Sequence, residues 1–124
     1  MHKEGRRGVL HAVDAFVFSM KGLRTAWADE TAFRLQCALL VPLVPLAFLI
    51  AQSAVELSLL LGACGLVLMA EMFNSAIERL VDRVSTDIHP LSGQAKDLGS
   101  AGVFIAMMLF LVVWLPIGWA NLRP

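Results

Sequence analysis

A chain of 124 residues with 58% hydrophobic and 16% charged side chains departs from the usual balance of soluble proteins, which excludes water as its only solvent. Ten basic and ten acidic residues cancel to a formal net charge of zero, so nucleic acid is not expected as a partner.

Residues 1–7 are polar and basic and are expected to fray. From Gly8 to Trp27 the apolar residues Val9, Val13, Phe16, Val17, Met20, Leu23 and Trp27 recur at steps of three and four, opposite His11, Asp14, Lys21 and Thr25. That pattern predicts an amphipathic helix over about 8–27, lying on a membrane surface. Asp29, Glu30 and Thr31 suit the start of the next helix, where acceptor side chains meet free backbone N–H groups.

Three apolar blocks follow, each long enough to cross hydrocarbon: residues 35–55 and 98–120 carry no charge, and residues 57–77 carry only Glu71. They predict an all-α membrane protein with spans over about 32–52, 56–84 and 95–120, in one membrane-embedded domain. Pro42 and Pro45 should bend the first span. The second should continue as a helix through Arg83, and residues 85–94, with His89-Pro90 and Ser92-Gly93, read as a loop. Gly99, Ser100, Ala101 and Gly102 open the third span with small residues that allow helices to approach closely. Cys37 and Cys64 fall inside spans and are expected to pack as small apolar groups.

No cleavable signal peptide is expected, because the first apolar block is too long for one and starts near residue 35. Six of the ten basic residues precede the first span and three more (Arg79, Arg83, Lys96) lie between the second and third. The positive-inside rule therefore puts the N-terminus and the 78–97 segment in the cytoplasm and the 52–56 turn outside. Three helices have little interior of their own, so a site that excludes water is expected to be completed by further copies of the chain.

A carboxylate inside an apolar span is costly and normally faces a protein interior or polar cavity, which makes Glu71 the most informative residue. At about 100° per residue Glu71, Glu78 and Asp82 fall within about 20° of one line, with Asn74 and Ser75 beside it. A carboxylate kept from water gains basicity, the property of a general base working near neutral pH. The competing readings are that Glu71 hydrogen-bonds a neighbouring helix and that Asp82 lies on a solvated helix end. At a similar depth stand Asp29-Glu30 and Lys96-Asp97; carboxylates near a lysine suit a magnesium-bound polyphosphate, while helix capping and an interface are the plainer alternatives. Soluble nucleotide-binding motifs are absent from the sequence, so a kinase reading requires a different architecture.

The run Glu71-Met-Phe-Asn74-Ser75-Ala76-Ile77-Glu78, followed by Val81-Asp82-Arg83, resembles the most distinctive motif of the small integral-membrane diacylglycerol kinases of bacteria, of the Gram-negative type. Lys21-Gly22-Leu23-Arg24 with Ala26-Trp27, Glu30 with Ala32-Phe33-Arg34, Leu91-Ser92-Gly93, and Lys96-Asp97 with Gly99-Ser100-Ala101 extend the resemblance from about residue 8 to about residue 119. It implies a homotrimer of the inner membrane with shared active sites at the cytoplasmic boundary, and transfer of the γ-phosphate of ATP, with Mg²⁺, to diacylglycerol to give phosphatidic acid. Glu71 would be the general base, and Glu30 and Glu78 would hold the metal beside Asn74. Lys96 would neutralise phosphate next to Asp97, and Asp87, Ile88 and His89 would lie against the nucleotide. Arg24, Trp27, Ser100 and Trp114 would line the lipid's path, with Ala32, Phe33 and Arg34 beside it. At two nucleotide-contact positions the chain departs from the pattern, with His11 in place of an arginine and Phe18 in place of a tyrosine. Two rivals remain at this stage: a polyprenol (undecaprenol) kinase of the same superfamily, and a non-enzymatic channel or scaffold subunit whose carboxylates line an aqueous path.

Overall fold

The computed structural model describes residues 2–84 and 86–124, which form four helices: α1 (His2–Asp29), α2 (Thr31–Ile50), α3 (Ala54–Val84) and α4 (Pro90–Asn121). The helix expected from residue 8 begins at His2; Met1, part of the stretch expected to fray, lies outside the described residues. Ser85, the first residue of the expected loop, is outside them too.

Each junction between helices has a local cause. A single residue separates α1 from α2: Glu30 is extended, with φ −105° and ψ 105°. Neither acidic side chain there caps α2. The last turn of α1 contains no basic residue, and Arg34 of α2 supplies one, its guanidinium donating to the carbonyls of Trp27 (2.8 Å) and Ala28 (2.9 Å). Between α2 and α3, Ser53 Oγ accepts from the Glu56 N–H (3.1 Å) while Glu56 Oε2 accepts from the Gln52 N–H (2.8 Å). This is a variant of the reciprocal cap written by Ser53-x-x-Glu56. The α3–α4 connection is shorter than expected, because Pro90, a turn signal in the sequence, is the first residue of α4 and needs no N–H partner there. His89 precedes it as the N-cap, with Nδ1 accepting from the Leu91 N–H at 3.1 Å.

α3 and α4 form the principal contact, α2 packs along α3, and α1 touches the bundle chiefly through α2. The compact core lies toward the end opposite the charges: Ala47, Ile50, Leu60, Ala63, Cys64 and Trp114 are buried together. Trp114 satisfies its indole by donating to the Leu60 carbonyl at 3.1 Å and stacks on Phe110 with 5.3 Å between ring centroids. At the same end Asn121 Nδ2 reaches both the Ile50 carbonyl (2.8 Å) and Glu56 Oε2 (2.7 Å), so one amide ties together the ends of α2, α3 and α4.

α2, α3 and α4 are long and apolar enough to cross a membrane. Leu39, Val41, Phe48, Leu49, Phe104, Val112 and Leu115 stand exposed along them, a continuous apolar surface suited to hydrocarbon or to other copies of the chain. The 31 residues of α3 rise about 46 Å, against about 30 Å of hydrocarbon, so the helix carries several turns beyond it. Pro42 and Pro45 sit inside a helix that remains continuous.

Candidate functional site

The unbroken run of α3 through Val84 keeps Glu71, Asn74, Ser75, Glu78, Arg79 and Asp82 in helical register. Glu71 is half-buried, and Gln36 of α2, another polar residue in an apolar stretch, donates from Nε2 to its Oε2 across a long 3.4 Å. Asn74 and Ser75 are buried. Asn74 donates to Glu78 Oε1 at 3.3 Å, and its amide lies against Gly99 so closely that a Cβ on that residue would collide with it. The small residue at the start of the third span thus lets α4 close over the polar face of α3. Gly102, one turn later, meets nothing comparable. Gln36 Oε1 and Asn74 Oδ1 are buried without a hydrogen-bond partner among the described residues, a cost that polar groups seldom bear without a functional return.

The acidic line expected on α3 is divided between two flanks of the helix. Toward α1 and α2 a cavity of about 230 Å³ is lined by Gly22, Ala26, Glu30, Phe33, Glu71 and Arg79, among others. Arg79 holds Glu30 Oε1 through both Nη2 (2.9 Å) and Nε (3.3 Å), and Nη2 also reaches Asp29 Oδ2 at 3.1 Å. The carboxylates expected to cap α2 are drawn instead to a cation some fifty positions later in the chain, because a charged partner outcompetes a neutral amide. Toward α4 a cleft of about 400 Å³ is lined by Asp82, Asp87, Ile88, His89, Ser92 and Lys96, among others, with Lys96 Nζ 2.7 Å from Asp82 Oδ1. Asn74 and Glu78, hydrogen-bonded to each other on α3, line neither, and Asn74 faces Gly99 of α4.

The other expected residues scatter around this frame. Arg24, Trp27, Ala32 and Ser100 are exposed near the charged end, Phe33 is buried against the cavity, and Arg34 is engaged with the carbonyls of α1. His11 and Phe18 are exposed on α1, Phe18 carrying the Lys21 ammonium 5.6 Å from its ring centroid. Asp97 is exposed at the head of α4. Trp114 is far away: it stands 15 residues beyond Gly99 along α4, about 22 Å, and belongs to the opposite core.

Glu30 and Glu78 offer hard carboxylate oxygens at the same end of the bundle, the donors that Mg²⁺ takes. Among the described residues no group of three or more His, Cys, Asp or Glu side chains is gathered to hold an ion alone. Two carboxylates fit an ion that arrives on phosphate oxygens, since Mg²⁺ is commonly held by one or two carboxylates with phosphates and water completing its shell. Arg79 and Gln36 are the site residues that sequence reasoning passed over. Gln36 was legible as a second polar group in an apolar block facing Glu71; Arg79 was read only as part of the positive-inside signal.

Comparison with known proteins adds a second, independent line. The profile of the family described as prokaryotic diacylglycerol kinase matches residues 17–117. A diacylglycerol kinase of Haemophilus influenzae is 43% identical over 107 residues, 86% of this chain and 91% of that protein. One of Pseudomonas aeruginosa is 43% identical over 111 residues, 90% of each chain, and one of Escherichia coli is 39% identical over 114 residues, 92% of this chain and 93% of that protein.

Proposed function

The chain belongs to the prokaryotic diacylglycerol kinase family, and we propose that it transfers the γ-phosphoryl group of ATP to the primary hydroxyl of diacylglycerol, giving phosphatidic acid and ADP. The single observation that carries the mechanism is Glu71, a half-buried carboxylate in an apolar span, opening on a cavity beside the surface helix. The names of the relatives favour diacylglycerol over a polyprenol as acceptor.

In this reading ATP docks in the α3–α4 cleft, with Asp87, Ile88 and His89 against the nucleotide, Lys96 near its phosphates and Asp97 alongside. Diacylglycerol enters from the bilayer into the cavity on the other flank, past Arg24, Trp27, Ala32, Phe33 and Ser100, and places its hydroxyl at Glu71. The hydroxyl oxygen attacks the γ-phosphorus, Glu71 takes the proton, and the bond to the β–γ bridging oxygen breaks as ADP leaves. Asn74 is paired with Glu78 on α3 and would stand beside the phosphates. Glu30 and Glu78 would hold Mg²⁺, which when bound neutralises charge on the phosphates. The Nδ1 of His89 serves to cap α4, so its contribution to the nucleotide is left to the opposite edge of the ring. Trp114 acts on the lipid path only if another copy brings it there.

The proposal includes a homotrimer in the bacterial inner membrane, with α1 and the charged end in the cytoplasm. The large uncovered apolar surface of the spans supports assembly, and the placement of basic residues supports the orientation. Glu71→Gln keeps the shape of the side chain and removes the base. Lipid phosphorylation by that variant, reconstituted in vesicles, should fall roughly 100- to 10,000-fold while its thermal unfolding stays as in the parent. Near-parental turnover would overturn the assignment.

A further inference from the structure

Resting on the reading of this chain as a lipid kinase, we infer that Arg79 binds the γ-phosphoryl group on the acceptor side of α3, opposite Lys96 on the donor side, and that Asp29 retains it there. Among the described residues, Arg79 is the one cation lining the Glu71 cavity. Lys96 lines the cleft on the other flank and is paired with Asp82. In-line transfer brings the γ-phosphorus to an acceptor hydroxyl at Glu71, so the phosphoryl group meets Glu71 and Glu30 on that side while Lys96 stands on the donor side. Its equatorial oxygens carry negative charge throughout, and Arg79 adds a protein cation on that side, besides any metal held by Glu30, to offset the repulsion from Glu71.

The present contacts of Arg79 suit a group that changes partner. Nε and Nη2 converge on a single oxygen of Glu30 instead of forming the parallel two-oxygen fork that gives guanidinium–carboxylate pairs their strength. The side chain is 48% exposed, so exchanging a carboxylate oxygen for a phosphate oxygen carries little desolvation cost. Asp29, with Nη2 at 3.1 Å, is the second anchor, and would hold the guanidinium at the mouth of the cavity were Glu30 to engage a metal ion. The planar fork can then meet two phosphate oxygens, a geometry that a lysine at the same position cannot reproduce.

The test is steady-state kinetics of the full chain in diacylglycerol-containing vesicles, with ATP as substrate and ADP as inhibitor, for the parent, Arg79→Gln and Arg79→Lys. Because ADP lacks the γ-phosphate, a contact to that group alone is invisible to it. Arg79→Gln should lower kcat/KM for ATP by roughly 10- to 100-fold, the worth of charge-assisted hydrogen bonding, while the inhibition constant for ADP moves less than about twofold. Arg79→Lys should show a smaller loss, again confined to ATP, and serves alone if the glutamine variant does not fold. Unchanged kinetics in the variants, or equal weakening of ATP and ADP, would overturn the inference, the latter making Arg79 a tie between α3 and the α1–α2 junction and nothing more. A parent protein that labels no lipid would instead bring down the kinase reading, and this inference with it.

Discussion

The two ends of the bundle follow opposite plans. At the end holding Trp114 and Asn121, polar groups are closed on one another: the indole on the Leu60 carbonyl, Asn121 on the Ile50 carbonyl and Glu56, Ser53 on the Glu56 N–H. Apolar side chains fill the space between them. At the end holding Glu71 the contacts run long or incomplete, with a 3.4 Å bond from Gln36, buried oxygens on Gln36 and Asn74 lacking partners among the described residues, and ion pairs at half-exposed positions. The difference teaches where stability and chemistry reside. One end is packed so that the other can keep donors and acceptors uncommitted, ready for ligands that supply the missing partners.

That division can be broken from either side. Trp114→Ala should have the largest effect on folding, about 3–5 kcal/mol, by opening a cavity and removing the indole's bond to the Leu60 carbonyl, yet the folded fraction should phosphorylate lipid at the parental rate. Unfolding in detergent titrations, paired with activity per folded molecule, measures both; lost activity in a fully folded sample would place Trp114 in the working site. Gly99→Val should do the reverse. The added side chain meets the Asn74 amide and forces α4 from α3, costing about 1–3 kcal/mol of stability but most of the activity, because Asn74 and its partner Glu78 are displaced. Parental kinetics in that variant would mean that the close approach at Gly99 serves packing alone. Asn121→Ala should be the mildest, about 1 kcal/mol of stability from the lost amide bonds, with no change in KM for ATP or lipid.

The sequence made the spans legible because hydrocarbon imposes a length and an apolarity that few other environments demand, and α2, α3 and α4 lie where the apolar blocks stand. It was less informative at their edges. Pro90 marks a turn when read locally, but it opens α4, since the first residue of a helix needs no N–H partner. For the site, spacing at about 100° per residue put Glu71, Glu78 and Asp82 on one line of α3, whereas Glu71 and Asp82 border different hollows, and an apolar setting drew attention to Glu71. What local reading could not supply was the partner of each group. Asp29 and Glu30 look like caps until Arg79, far along the chain, claims them, and Glu71 looks isolated until Gln36 on α2 reaches it. Such pairings depend on which helices pack and at what register, information held by the whole bundle and not by any window of sequence.

The central claim is that the loosely bonded end exists to bring an alcohol in the bilayer to a phosphate from the water. It is tested most directly by incubating the reconstituted chain with ATP labelled at the γ-position, Mg²⁺ and vesicles containing both diacylglycerol and a polyprenol, then identifying the labelled lipid. The account expects label in phosphatidic acid at a rate well above that in polyprenyl phosphate. Label only in the polyprenyl product would contradict the acceptor, and no labelled lipid at all would contradict the account as a whole.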